Sequence, residues 1–140
     1  MTVSIERDFV VDGSPESVWS FLQDPENRAR AISLVDRFEV EGETTIWHLD
    51  VPIPGSRQTL SVRTRPIDRK PPESVSFEGQ SSVFDVVGEH RIHSADGKTT
   101  VHNRFEVAGK VPGVERIFKR RFDGEIANLE RELTAFLESR

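Results

Sequence analysis

Few residues in this chain are equipped for covalent chemistry. There are four histidines and no cysteine. Without cysteine there are no disulfides, no thiolate zinc sites and no thiol nucleophile. No serine sits in a Gly-x-Ser-x-Gly elbow, and Gly79-Gln80-Ser81-Ser82 reads as a turn rather than a phosphate loop. His90-x-x-His93 has metal-like spacing only on paper, because strand positions three apart point to opposite faces. His48, His93 and His102 share the outward parity, so no metal site is expected. What remains is a short set of inward polar groups: His90, Asn103, Glu125 and, by parity, Arg7. His90 has the chemistry of a general base or of a group that orients a ligand oxygen. Asn103 can polarise a carbonyl or simply satisfy His90, since buried polar groups need partners. Glu125 has no second inward carboxylate beside it and reads as the partner of Arg121 or Arg7. The indole N–H of Trp47 is a further donor. His90 and Asn103 are the catalytic candidates, no definite assignment is reached, and no cofactor is expected.

The elements that must position these groups follow from pattern. Two strand-like runs flank Ala95-Asp96-Gly97-Lys98. Asp-Gly suits a two-residue type I′ turn, in which both central residues take positive φ. If Ala95 pairs with Lys98, Ile92 faces Val101, His90 faces Asn103, Gly88 faces Phe105 and Val86 faces Val107. That face is apolar apart from His90 and Asn103. The other face sets Glu89 against Arg104 and Arg91 against His102, as a solvated face would, and the opposite-charge Glu89–Arg104 pair favours this register by under ~1 kcal/mol. A one-residue slip would turn every charge inward. The same parity turns Trp47, Leu49, Leu60, Val62, Val75 and Phe77 to the inside.

From Val114 to Leu137 the apolar residues recur at helical spacing. At about 100° per residue, Phe118, Phe122, Ile126, Leu129, Leu133 and Phe136 form one stripe, with Glu125 on it and Arg121 and Glu132 near its edge. Gly124 lies to one side, where a missing side chain allows close approach of a loop. Upstream, Val3 to Val11 alternates as a strand. Ser14-Pro15-Glu16 and Asp24-Pro25-Glu26 are two helix starts, each with a capping side chain and a proline at the first helical position. The second helix runs to about Ile32. Strands then cover roughly 36–41, 44–51, 57–66, 74–80, 83–94 and 99–109. Pro66 to Pro72 reads as a loop, and Val51 to Arg57, with two prolines and a glycine, as a lip. The chain is α+β: one strand, two short helices, six strands and a long helix that must lay its stripe on their sheet.

Composition limits the rest. A length of 140 residues suits a single domain over residues 1–140. No apolar run nears the ~18 residues of a membrane span. The charged N-terminus is unlike a signal peptide, so a cytoplasmic location is expected. A net charge of −5 argues against nucleic acid.

This order, with Ser14-Pro15-Glu16-Ser17-Val18-Trp19 leading to Asp24-Pro25-Glu26 and the late strands from Pro72 to Gly109, resembles the START-like helix-grip (SRPBCC) superfamily. Its members include polyketide cyclases/dehydrases, lipid-transport proteins and carbon-monoxide-dehydrogenase G-subunit-like proteins. The resemblance implies a curved seven-stranded antiparallel sheet wrapped around the long C-terminal helix. It also implies binding or transport of a hydrophobic or amphiphilic small molecule, such as a lipid, isoprenoid or polycyclic compound, between the two. The residues expected to bind it are Trp47, Leu49, Leu60, Val62, Phe77, His90, Asn103, Phe105, Phe118, Phe122, Glu125 and Ile126. Hiding about 300 Å² of apolar ligand surface is worth roughly 7 kcal/mol. After the cost of association this leaves micromolar affinity without a charged anchor. Two alternatives stay open. One is a cyclase/dehydrase-like enzyme with His90 as general base. The other is an accessory protein acting through a homodimer or a protein partner, with Lys119-Arg120-Arg121 as a docking face or, more simply, a solvated one.

Overall fold

The computed structural model describes residues 2–53 and 56–139. Strand β1 (Thr2–Val11) leads into helices α1 (Pro15–Leu22) and α2 (Pro25–Ala31). Strands β2 (Val35–Glu41), β3 (Thr44–Ile53), β4 (Ser56–Lys70), β5 (Ser74–Gln80), β6 (Phe84–Ala95) and β7 (Lys98–Gly109) follow, and helix α3 (Val114–Glu138) closes the order. Both helix starts form as their sequences dictate. Ser14 Oγ accepts from Ser17 N at 3.1 Å, and Asp24 Oδ1 accepts from Glu26 N at 3.0 Å. Each bond satisfies an amide that a helix end leaves without a partner.

The strands form one antiparallel sheet in the order β1-β7-β6-β5-β4-β3-β2. It curves around α3 as a helix-grip fold. The register of the β6–β7 hairpin is the one the turn specifies: Ala95 opposite Lys98, His90 opposite Asn103, Gly88 opposite Phe105. Asp96 and Gly97 carry φ of 53° and 79°, as a type I′ turn requires. Side-chain charge pairing on the outer face differs from expectation. Glu89 and Arg104 are opposite one another, yet Arg104 turns along its own strand to Glu106 (2.7 Å), and Glu89 is taken by Arg91 (3.0 Å). On a solvated face such choices are nearly isoenergetic, so register does not fix the partner.

Pro66 to Pro72 is not a loop. Strand β4 continues to Lys70, with a bulge at Ile67 and with Pro66 opposite Phe77. Strand β3 begins only at Thr44, so Pro66 has no ladder partner on that side, and its missing N–H costs little there. The turn proper starts at the cis Pro71–Pro72 bond. Of the expected lip, Val51 to Arg57, the ends belong to the paired strands β3 (to Ile53) and β4 (from Ser56) rather than to a loop, and Pro54 and Gly55 lie outside the described residues.

The core lies between sheet and helices. Val18, Leu22, Val101 and Leu133 are fully enclosed where α1, β6, β7 and the C-terminal half of α3 meet. A second cluster joins Trp47, Leu60, Val62, Phe84, Val86 and Val107 to Val114 at the start of α3. Arg7, expected inside, reaches over the edge of the sheet instead. Its Nε donates to Asp123 Oδ1 at 2.7 Å, an exposed pair that ties β1 to α3. The edge position of β1 lets a long side chain escape a face that holds shorter ones.

Gly124 sits in the middle of α3, and a Cβ there would meet nothing within 4 Å. No loop approaches it. Gly124→Ala is therefore expected to stabilise the fold by about 1 kcal/mol through helix propensity alone. Urea unfolding of the two proteins measures this; a loss of stability would mean that the glycine is needed for its conformation.

Candidate functional site

The curvature that wraps α3 leaves space beneath it. A cavity of about 560 Å³ lies between α1, α2, the concave face of the sheet and the N-terminal two-thirds of α3. Most of its wall is aliphatic or aromatic. Exposed lining residues include the tip of the β2–β3 hairpin (Val40, Gly42, Glu43), Arg65 and Arg69 on β4, Gln23 after α1, and Val111, Pro112 and Arg121 around the start of α3, which places the mouth among them.

Eleven of the twelve residues expected to bind a ligand line this space: Trp47, Leu49, Leu60, Val62, Phe77, His90, Phe105, Phe118, Phe122, Glu125 and Ile126. Strand parity brings the first seven to one face, and the helical stripe brings the other four opposite them. Asn103 does not reach the cavity. It is completely buried behind His90, because β7 is covered by the edge strand β1 and by α3.

His90 and Asn103 form a defined pair. Asn103 Nδ2 donates to the carbonyls of Arg7 (3.1 Å) and Val101 (3.4 Å), which turns its Oδ1 toward His90 Nδ1 at 2.7 Å. An amide oxygen only accepts, so these partners assign the proton to Nδ1 and leave Nε2 as an acceptor. No described residue hydrogen-bonds Nε2. Burial, reinforced by the Arg28 guanidinium, pushes the imidazole down to about 3, against the opposing effect of the Asn103 bond. His90 is therefore neutral near pH 7.

Arg28 is the group that the sequence did not announce. It projects from α2 into the cavity wall, with its guanidinium carbon 4.7 Å from the centroid of the Phe77 ring. Its one hydrogen bond is long, from Nη1 to Leu22 O at 3.5 Å. It makes no ion pair among the described residues. Burial pulls its pKa down to about 10, so it keeps its charge. The set of inward polar groups expected from the sequence, His90, Asn103, Glu125 and Arg7, did not include it.

Glu125 pairs with neither Arg121 nor Arg7. It accepts from Ser33 N at 3.0 Å and from Ser33 Oγ, clamping the segment after α2 onto α3. Trp47 Nε1 is also engaged within the protein, donating to Thr64 Oγ1 at 2.8 Å. Arg28, with its single long hydrogen bond, and His90 Nε2 are polar groups of the wall that the described residues leave largely open.

A family profile described as "Polyketide cyclase / dehydrase and lipid transport" matches residues 2–134. The chain belongs to that family. No curated protein matches it significantly. Solved structures of the same fold include a conserved protein from Geobacillus kaustophilus (18% identical, covering 98% of this chain and 96% of that one, TM-score 0.79). Another is a START superfamily protein from Mycobacterium smegmatis (14% identical, 97% of each chain, TM-score 0.77). A third is the Zhui aromatase/cyclase from Streptomyces sp. R1128 (14% identical, 100% of this chain and 96% of that one, TM-score 0.73). At these identities the likeness establishes the START-like fold and nothing about a particular ligand. Family membership accounts for the cavity; the placement of Arg28 is read from this chain alone. No described helix is long and apolar enough to cross a membrane.

Proposed function

We propose that this family member binds and carries a hydrophobic or amphiphilic small molecule in the cavity between sheet and α3. One observation carries the reading: about 560 Å³ of space with a largely apolar wall, lined by aromatic and aliphatic side chains. Such a volume matches a single small-molecule ligand. Burial of its apolar surface drives binding, and the few open polar groups set its orientation. Use of His90 as a general base has less support. With its pKa near 3, its conjugate acid is strong and its basicity slight at neutral pH, far from the match that efficient proton abstraction needs.

Organic extraction of the purified protein, followed by mass spectrometry, is expected to release one recurrent apolar species in near-stoichiometric amount. A clean extract, from protein that also fails to take up decanol in calorimetric titration, would overturn the reading.

A further inference from the structure

We infer that the cavity selects ligands carrying one carboxylate, which the Arg28 guanidinium holds at the inner wall beside Phe77. This deepens the binding role proposed above and rests on it.

The inference starts from an uncompensated charge. A guanidinium has five N–H donors. The described residues accept one bond from Arg28, at 3.5 Å, and offer it no carboxylate. Phe77 covers one face of the group at 4.7 Å. The remaining donors belong to a side chain that lines the cavity. A half-buried cation that has lost part of its hydration and has no counter-ion is costly to the fold. The two carboxylates of the cavity lining have other partners: Glu125 is committed to Ser33, and Glu43 pairs with Arg69.

The surroundings narrow the anion. Arg28 is half-buried, whereas the other arginines of the wall, Arg65, Arg69 and Arg121, are exposed. His90, on the same wall, is neutral, with Nε2 left as an acceptor. A phosphate dianion would face a single positive charge, a lone pair at His90 and a carboxylate at Glu125. A carboxylate carries one charge and two oxygens, which match the guanidinium fork. The apolar wall requires the rest of the ligand to be oily. The class is therefore a fatty or aromatic acid rather than a neutral sterol, an alcohol or a phosphorylated isoprenoid.

Decanoate and decanol make the test, since the alcohol is the more hydrophobic of the two and wins in a pocket without a cation. Calorimetric titration at pH 7.5 is expected to show decanoate binding at least ten-fold tighter than decanol. In Arg28→Met the order should reverse, with decanoate weakened ten-fold or more and decanol unchanged or tighter. Arg28→Lys retains the charge, keeps part of the preference, and serves if the methionine variant does not fold. Arg116→Met, on the exposed side of α3 away from the cavity lining, should leave the preference intact. Equal binding of acid and alcohol by the wild type, or a preference that survives Arg28→Met, overturns this inference while leaving the carrier role standing. Failure of both probes to bind the wild type overturns both.

Discussion

His90→Asn is expected to remove about 3 kcal/mol from the acid sensitivity of the fold between pH 6.5 and 4.5. In the unfolded chain the imidazole takes a proton near its ordinary pKa of 6.5; in the folded protein it resists until about 3. Across that window the unfolded state binds more protons, so stability is full above pH 6.5 and falls as the pH drops toward 3. Two pH units within the window correspond to about 3 kcal/mol at roughly 1.4 kcal/mol per unit. Asparagine can still donate to Asn103 Oδ1, so the substitution removes the titration without orphaning that buried acceptor. The carboxylates of the surface titrate alike in both proteins and cancel in the comparison. Urea unfolding at pH 7 and pH 4.5 measures the difference. Identical acid losses in the two proteins would mean that the ring is not held neutral by its surroundings.

Gly88→Val should both destabilise the protein and close its cavity. Gly88 lies on β6 between Phe77 on β5 and Phe105 on β7. The two rings meet over it edge to face, with centroids 5.9 Å apart. A Cβ at Gly88 would lie 2.3 Å from Phe77 Cζ and 2.9 Å from Phe105 Cε1, so the rings must leave. Valine suits a strand backbone, which makes the effect steric rather than conformational. Overpacking of this kind costs about 1–3 kcal/mol. The displaced Phe77 ring has the cavity to move into, and it also abandons the guanidinium of Arg28. Decanoate affinity is expected to fall ten-fold or more, beyond what the stability loss explains at a temperature where the variant is fully folded. Unchanged affinity would mean that the rings do not define the binding space.

The sequence made the scaffold legible because its signals are long or redundant. A twelve-residue strand with one charged and one apolar face fixes register by itself, and Asp96-Gly97 fixes it again. The stripe of α3 runs for 25 residues, long enough for a period to be unmistakable. Arg28 was illegible for the opposite reason. Helix α2 has seven residues, two arginines and one glutamate, too short for a face to declare itself, and an arginine is solvated by default. Only the docking of α2 against α3 turns Arg28 inward. Glu125 was placed correctly on the stripe, but its partner, Ser33, lies between α2 and β2 in a stretch with no periodic pattern. Asn103 had the right parity and the wrong depth, since parity gives the side of a sheet and not what covers it.

The two tryptophans of this chain, Trp19 and Trp47, both stand in the cavity wall, and there is no tyrosine. The near-ultraviolet emission of the whole molecule therefore originates at the surface a guest would touch. Uptake of a quencher or of an energy-accepting polyene can be followed on the unlabelled protein, with no background from indoles elsewhere in the chain.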